Sequence, residues 1–259
     1  MLEPLEVNLF RGESRDVGMR SVFGGQVIAQ ALVAAERTVE DRPPHSLHAY
    51  FLLPGNVAAP IVYQVDRVRD GRSFSARRVQ AIQHGRPILS MIASFQTPEV
   101  GLEHAVAMPD VPAPELLAPW ARSGPSRPGP RAVEFRRVEP DAASAPRQAF
   151  WFRAIDRLPD DPRLHRCVLA YASDLALAGT ALRPHGRTFH EKGMLVASLD
   201  HALWFHRPAR VDEWLLYAMD SPSSQAARGL ARGTIHDRTG RLVASVAQEA
   251  LMREVPPRA

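Results

Sequence analysis

Two stretches of the chain are apolar or small on nearly every helical face. They are SVFGGQVIAQALVAAERTVE at 21–40 and DPRLHRCVLAYASDLALAGTAL at 161–182, and each predicts a helix buried all round. Behind each stretch come short runs rich in β-formers, where apolar and polar residues take turns. The first set is LHAYFLLP (47–54), IVYQVDRV (61–68), SARRVQAIQ (75–83) and RPILSMIASFQ (86–96). The second is MLVASLDHALWFHR (194–207), EWLLYAMDS (213–221), ARGLARGTIHD (227–237) and RLVASVAQEALM (241–252). Side chains of a strand alternate between its two faces, so these runs predict strands, and RDGR, QHGR and DRTGR supply turns between several of them. Between the two sets, ten of the 23 prolines fall in 98–146, where neither period can be sustained; this predicts a linker.

A helix followed by a meander of strands, met twice, invites a search for a repeat. VIAQA (27–31) matches VLAYA (168–172), HAYFLLPG (48–55) matches HALWFHRP (201–208), and GRPILS (85–90) matches GRLVAS (240–245), in the same order in both halves. The expected organisation is an N-terminal unit at 1–100, a proline-rich linker at 101–145 and a C-terminal unit at 146–259. Each unit is α+β, a long central helix wrapped by an antiparallel sheet.

Composition removes several classes of function. At 259 residues, 45% hydrophobic and 23% charged, the chain has the make-up of a folded globular protein. The pI near 9.8 suggests nucleic acid, but the net charge is only +4, Lys192 is the sole lysine and no run of five like charges occurs, so no nucleic-acid partner is expected. The single cysteine, Cys167, rules out an intramolecular disulfide and a cysteine-cluster zinc site, and it points to a reducing compartment. No uncharged apolar run reaches the ~18 residues that span a bilayer, and the opening MLEPLEVNLFRGESR has no signal-peptide pattern. A cytoplasmic protein without membrane insertion is expected. G-x-S-x-G, H-E-x-x-H, P-loop and G-x-G-x-x-G motifs are all missing, which argues against a covalent serine mechanism and implies no metal or cofactor.

One residue breaks the apolar pattern. Asp174 lies within VLAYASDLAL (168–177), and a carboxylate withdrawn from water must be paired, take up a proton or reach solvent. A helix cap, an arginine-paired carboxylate and a functional group all fit the letters. Cys167, on the same helix, reads as packing.

The phrases SVFGGQVIAQAL, YASDL, SLDHALWFHRP, EWLLY and VASVAQEALMR, in this order and spacing, resemble the acyl-CoA thioesterase II family. The resemblance spans both halves and lapses only across the linker. It implies a double hotdog fold of two tandem repeats and hydrolysis of fatty acyl-CoA to free acid and CoA. It also implies a homo-oligomer, dimer or tetramer, and a catalytic water held by three polar residues: Asp174, Ser198 and Gln248. The family usually has threonine where this chain has Ser198; serine keeps the hydroxyl but drops the methyl that restricts its rotation. Alternation puts Gln248 on an apolar face with Leu242, Ala244, Val246, Ala250 and Met252. It also puts Ser198, Asp200, Ala202 and Trp204 on one strand face and Leu199, His201, Leu203 and Phe205 on the other. Asp200 reads as structural, and His48, His201 and His206 as hydrogen-bonded core residues. Two further readings are a hotdog hydratase or dehydratase and a non-catalytic acyl-CoA binding module.

Overall fold

A computed structural model describes residues 2–120, 132–139, 148–189 and 191–255. Helix α1 (Gly24–Glu36) is the centre of the core, with Ile28, Ala31, Leu32, Ala34 and Ala35 fully buried. Helix α2 (Pro162–Ser173) starts where the sequence carries a cap and a proline: the Asp161 carboxylate accepts the Arg163 N–H at 2.9 Å, and Pro162 occupies the first turn. The two helices pack antiparallel. A Cβ placed on Gly25 would come 2.4 Å from the Tyr171 carbonyl, so only glycine permits this approach. At the other end, Arg166 on α2 pairs with the buried Glu36 on α1 at 2.7 Å. The buried Arg77 side chain donates to Thr38 Oγ1 and the Thr38 carbonyl, fixing the chain that leaves α1.

Around the helices runs one antiparallel sheet. Its strands are β1 (Glu3–Glu6), β2 (Leu9–Gly12), β3 (Pro44–Phe51), β4 (Ile61–Asp70), β5 (Phe74–Gln83), β6 (Arg86–Gln96), β7 (Val133–Val138) and β8 (Gln148–Ala154). Then come β9 (Met194–Ser198), β10 (Asp200–Phe205), β11 (Leu215–Gln225), β12 (Arg228–Asp237) and β13 (Leu242–Glu254). The spatial order is β1-β2-β4-β5-β6-β3-β10-β13-β12-β11-β8-β7, with β9 also paired to β13. β3 meets β10 at the middle, Ala49 lying opposite His201 and Leu47 opposite Leu203. The order of the first six strands outward from this seam, β3-β6-β5-β4-β2-β1, mirrors β10-β13-β12-β11-β8-β7.

Three local differences from the sequence expectation matter. The helix expected over 161–182 stops at Ser173, with Asp174 as its C-cap; Ala176 then takes a left-handed conformation (φ 64°) before a short helix α3 (Leu177–Thr180). The strand expected over 194–207 is broken at Leu199 into β9 and β10. Within the proline-rich segment, β7 pairs with β8, and residues 108–117 join a small apolar cluster separate from the main core. There Met108, Val111 and Leu117 pack on Trp151, Trp214 and Leu216, and Trp151 Nε1 donates to the Pro112 carbonyl at 2.9 Å. Prolines are tolerated here because they sit in irregular chain that need donate to no ladder. Residues 121–131 and 140–147 of that segment lie outside the described residues.

Candidate active site

Asp174 occupies the junction of the two helices. As the C-cap of α2 it sits at an unfavourable, negative helix end, yet its carboxylate abuts the N-terminus of α1, where unpaired N–H groups favour negative charge. Neither the α1 N-cap residue Phe23 nor any acidic residue in the first turn caps that helix from its own sequence. The fit is close: a Cβ on Gly24 would come 2.8 Å from Asp174 Oδ2 and equally near the Phe51 ring. A sequence signal for this existed, since a glycine pair at a helix start forfeits helix propensity and marks close approach.

Asp174 is 9% exposed. Burial pushes its carboxyl up to about 7, while the Gly25 N–H and the Gln248 side chain pull it back. Oδ1 has no hydrogen-bond partner among the described residues and lies 3.9 Å from His201 Nδ1. A buried oxygen left in this way is costly unless something else occupies its lone pairs.

Beside it, Gln248 on β13 is 1% exposed. Its Nε2 donates to Ser198 Oγ at 2.6 Å, and its Oε1 lies 2.6 Å from His201 Nδ1. His201 Nε2 in turn lies 2.9 Å from Ser173 Oγ. Tyr217 Oη donates to the Ser173 carbonyl at 2.7 Å, bracing the last turn of α2. Burial lowers the His201 imidazole to about 4, so it is neutral around pH 7. Ser198 is only half-buried and is the exposed edge of the cluster.

The structure therefore gathers Asp174, Ser198 and Gln248 and adds His201, expected only as a hydrogen-bonded core residue, and Ser173, which sequence reasoning passed over. Alternation had set Ser198 and His201 on opposite faces, and the structure corrects this. Ser198 pairs with Ala250 but Ala202 pairs with Ala247, so β9–β10 carries one residue more than β13 over this interval. The bulge at Leu199 reverses the parity and brings both side chains to the Gln248 side. Asp200 sustains the bulge: its Oδ1 accepts the Glu249 N–H at 2.6 Å, a structural role as expected. Cys167 is inert as expected, its thiol pushed up to about 11 by burial and by Glu36.

Two family models match the chain. The family described as "Acyl-CoA thioesterase N-terminal domain" matches residues 12–96, and that described as "Acyl-CoA thioesterase" matches 129–251. Acyl-CoA thioesterase 2 of Haemophilus influenzae is 43% identical over 270 residues, covering 97% of this chain and 94% of that protein. The chain belongs to the acyl-CoA thioesterase family. As a family member it is an enzyme, a thioester hydrolase. Among solved structures, an acyl-CoA thioesterase II from Mycobacterium marinum superposes with a TM-score of 0.85 at 47% identity, covering 98% of this chain and 96% of that one. A protein described as having a hot dog fold, from Alicyclobacillus acidocaldarius, gives 0.82 at 22% identity, covering 100% and 97%, and so establishes the fold alone. No helix among the described residues of this thioesterase-family chain is long and apolar enough to cross a membrane.

Proposed function

We propose that the chain hydrolyses fatty acyl-CoA to free fatty acid and CoA by direct attack of a water held by Asp174, Ser198 and Gln248. The observation that carries this reading is the Asp174 carboxylate, buried, without a partner at Oδ1 among the described residues, raised to about 7 and set beside the bonded Gln248–Ser198 pair. A base performs best when its pKa lies near the working pH. Oδ1 takes a proton from the water as its oxygen attacks the thioester carbonyl; the tetrahedral adduct then expels the CoA thiolate, which recovers the proton from Asp174. Ser198, whose oxygen accepts from Gln248, keeps its own O–H free to donate to the water. No acyl-enzyme is required, because a thioester is already activated and orientation supplies much of the rate.

The mirrored strand order supports reading the fold as a double hotdog of two tandem units; because β7 closes the second half of the sheet, the C-terminal unit takes in Val133–Val138 and begins before the expected 146, inside the linker expected at 101–145. A homo-oligomer in a reducing, cytoplasmic setting completes the proposal, with acyl-CoA as its partner and neither nucleic acid nor membrane insertion involved. A hydratase needs an imidazole free to exchange protons with substrate. His201 lies beside Asp174 but has both nitrogens engaged by Gln248 and Ser173, which disfavours that chemistry.

The test is release of free thiol from a panel of acyl-CoAs differing in chain length and including an enoyl-CoA, read with a thiol reagent. The native chain should release thiol and Asp174→Asn should lose at least ~10²-fold in turnover. Acyl-CoA binding with no thiol released would instead assign a binding module, and loss of enoyl absorbance with no thiol would assign a hydratase.

A further inference from the structure

We infer that His201 is a positioning residue that sets the direction of the Gln248 carboxamide, turning its NH2 toward Ser198 and Asp174. The inference rests on the Asp174–Ser198–Gln248 reading and extends it inward by two residues.

A carboxamide can sit in either of two orientations, with nitrogen and oxygen exchanged, and the choice decides what Asp174 and Ser198 meet. With the NH2 outward, Gln248 donates to Ser198 Oγ at 2.6 Å and supports the ionised carboxylate of Asp174. Reversed, its carbonyl lone pairs would face that carboxylate and repel it, and the Ser198 hydrogen would be drawn back to the amide. Only the first setting leaves a base that can ionise and a hydroxyl that can donate.

Something must hold the amide in that setting, and every hydrogen along the chain can be followed. Gln248 Oε1 only accepts, so at 2.6 Å the hydrogen between it and the imidazole belongs to His201 Nδ1. His201 is buried to 1% exposure and its burial keeps the ring neutral, leaving Nε2 as acceptor. Ser173 Oγ, 2.9 Å away, must then supply the hydrogen at Nε2. The same hydroxyl also lies 2.9 Å from the Ala170 carbonyl, and donating there would favour the opposite tautomer and the reversed amide. A hydrogen bond to an ionised acceptor is roughly twice as strong as one between neutral groups, so once Asp174 ionises, an amide N–H turned toward it favours the first setting. The directed chain is Ser173 O–H to His201 Nε2, His201 Nδ1–H to Gln248 Oε1, and Gln248 Nε2–H to Ser198 and Asp174. His201 has no contact with the reacting atoms in this scheme and acts through Gln248 alone.

The test combines two variants with a direct view of the native protein. His201→Leu removes the donor in a volume close to the original; His201→Asn returns an N–H near the Nδ1 position. Thiol release should show kcat falling at least ~30-fold in His201→Leu with KM within about threefold, and His201→Asn recovering at least ~tenfold of the loss. In the full-length native protein labelled with 15N-histidine, long-range proton–nitrogen spectra at about pH 8.5, where Asp174 is ionised, should show a neutral imidazole with its hydrogen on Nδ1 that is absent from His201→Asn. A native imidazole hydrogen on Nε2 would overturn the inference even where His201→Leu fails to fold. So would His201→Leu with kcat within twofold of native while Asp174→Asn is inactive, or a folded His201→Asn no better than His201→Leu. Full activity in Asp174→Asn has a different meaning: it removes the underlying site reading, and this inference with it.

Discussion

Replacing Asp174 by asparagine should make the protein more stable while disabling it, and the gain should depend on pH in a predictable direction. In the unfolded chain the carboxyl titrates near 3.8; in the folded protein burial holds it up to about 7. Between these values the folded state keeps a proton that the unfolded state has released. Stability is therefore fully present below pH 3.8 and is lost as the pH rises through 7. At about 1.36 kcal/mol per pH unit, the ionised carboxylate costs the fold about 4 kcal/mol, of which about 3 kcal/mol accrues between pH 4.5 and 8. Asparagine has nearly the same shape and does not titrate. For a chain of this size each kcal/mol moves the melting temperature by about 2–4 °C, so the gap between variant and native protein should widen by about 10 °C from pH 4.5 to 8. Scanning calorimetry in matched buffers measures it. Parallel melting curves across that range would show that the carboxylate is not held in the environment described, and a gap that narrows would reverse the sign.

Turnover should follow the same titration: kcat/KM rises with unit slope up to about pH 7 and then levels, since the base must be ionised, and His201, near 4, adds no second limb in this range. A profile flat from pH 5 to 9 would contradict it. Gly24→Ala places a methyl 2.8 Å from Asp174 Oδ2, so turnover should fall by at least ~tenfold while circular dichroism stays native; unchanged kinetics would show that α1 does not crowd the carboxylate. Ser198→Ala should lower kcat by about 10²-fold, within the range for losing one preorganised donor, and Ser198→Thr, which restores the hydroxyl, should recover at least ~tenfold of it. Equal rates in the two variants would show that the hydroxyl is idle.

Much of this was written in the periodicities. The strands at 61–68, 75–83 and 86–96, and those at 227–237 and 241–252, fall within a residue or two of β4, β5, β6, β12 and β13, because half-buried antiparallel ladders enforce alternation. Gln248 was placed correctly, since β13 runs unbroken past it. What failed did so where the chain leaves its period. The Leu199 bulge adds a residue that alternation cannot register, so Ser198 was grouped with Asp200, Ala202 and Trp204 instead of with His201. The break after Ser173 was hidden because alanine and leucine continue the apolar pattern through Ala176, whose left-handed φ no letter advertises. The hairpin β1–β2 and strand β7 are short and lie at the ends of the sheet, with most of their residues exposed or half-buried and so little apolar signal. Asp174 was conspicuous for a physical reason: a carboxylate inside an apolar stretch demands an explanation. Its companions were not, since a serine or histidine on a strand is commonplace until a neighbour gives it a partner.

The most direct measurement is a single turnover of excess enzyme with an acyl-CoA in H2 18O, followed by mass spectrometry of the released acid and of the peptide bearing Asp174. Direct attack by a held water predicts one 18O in the acid from the first turnover and none in Asp174. Unlabelled acid with 18O retained in Asp174 would mean that the carboxylate itself attacks the thioester, and the water mechanism would be abandoned.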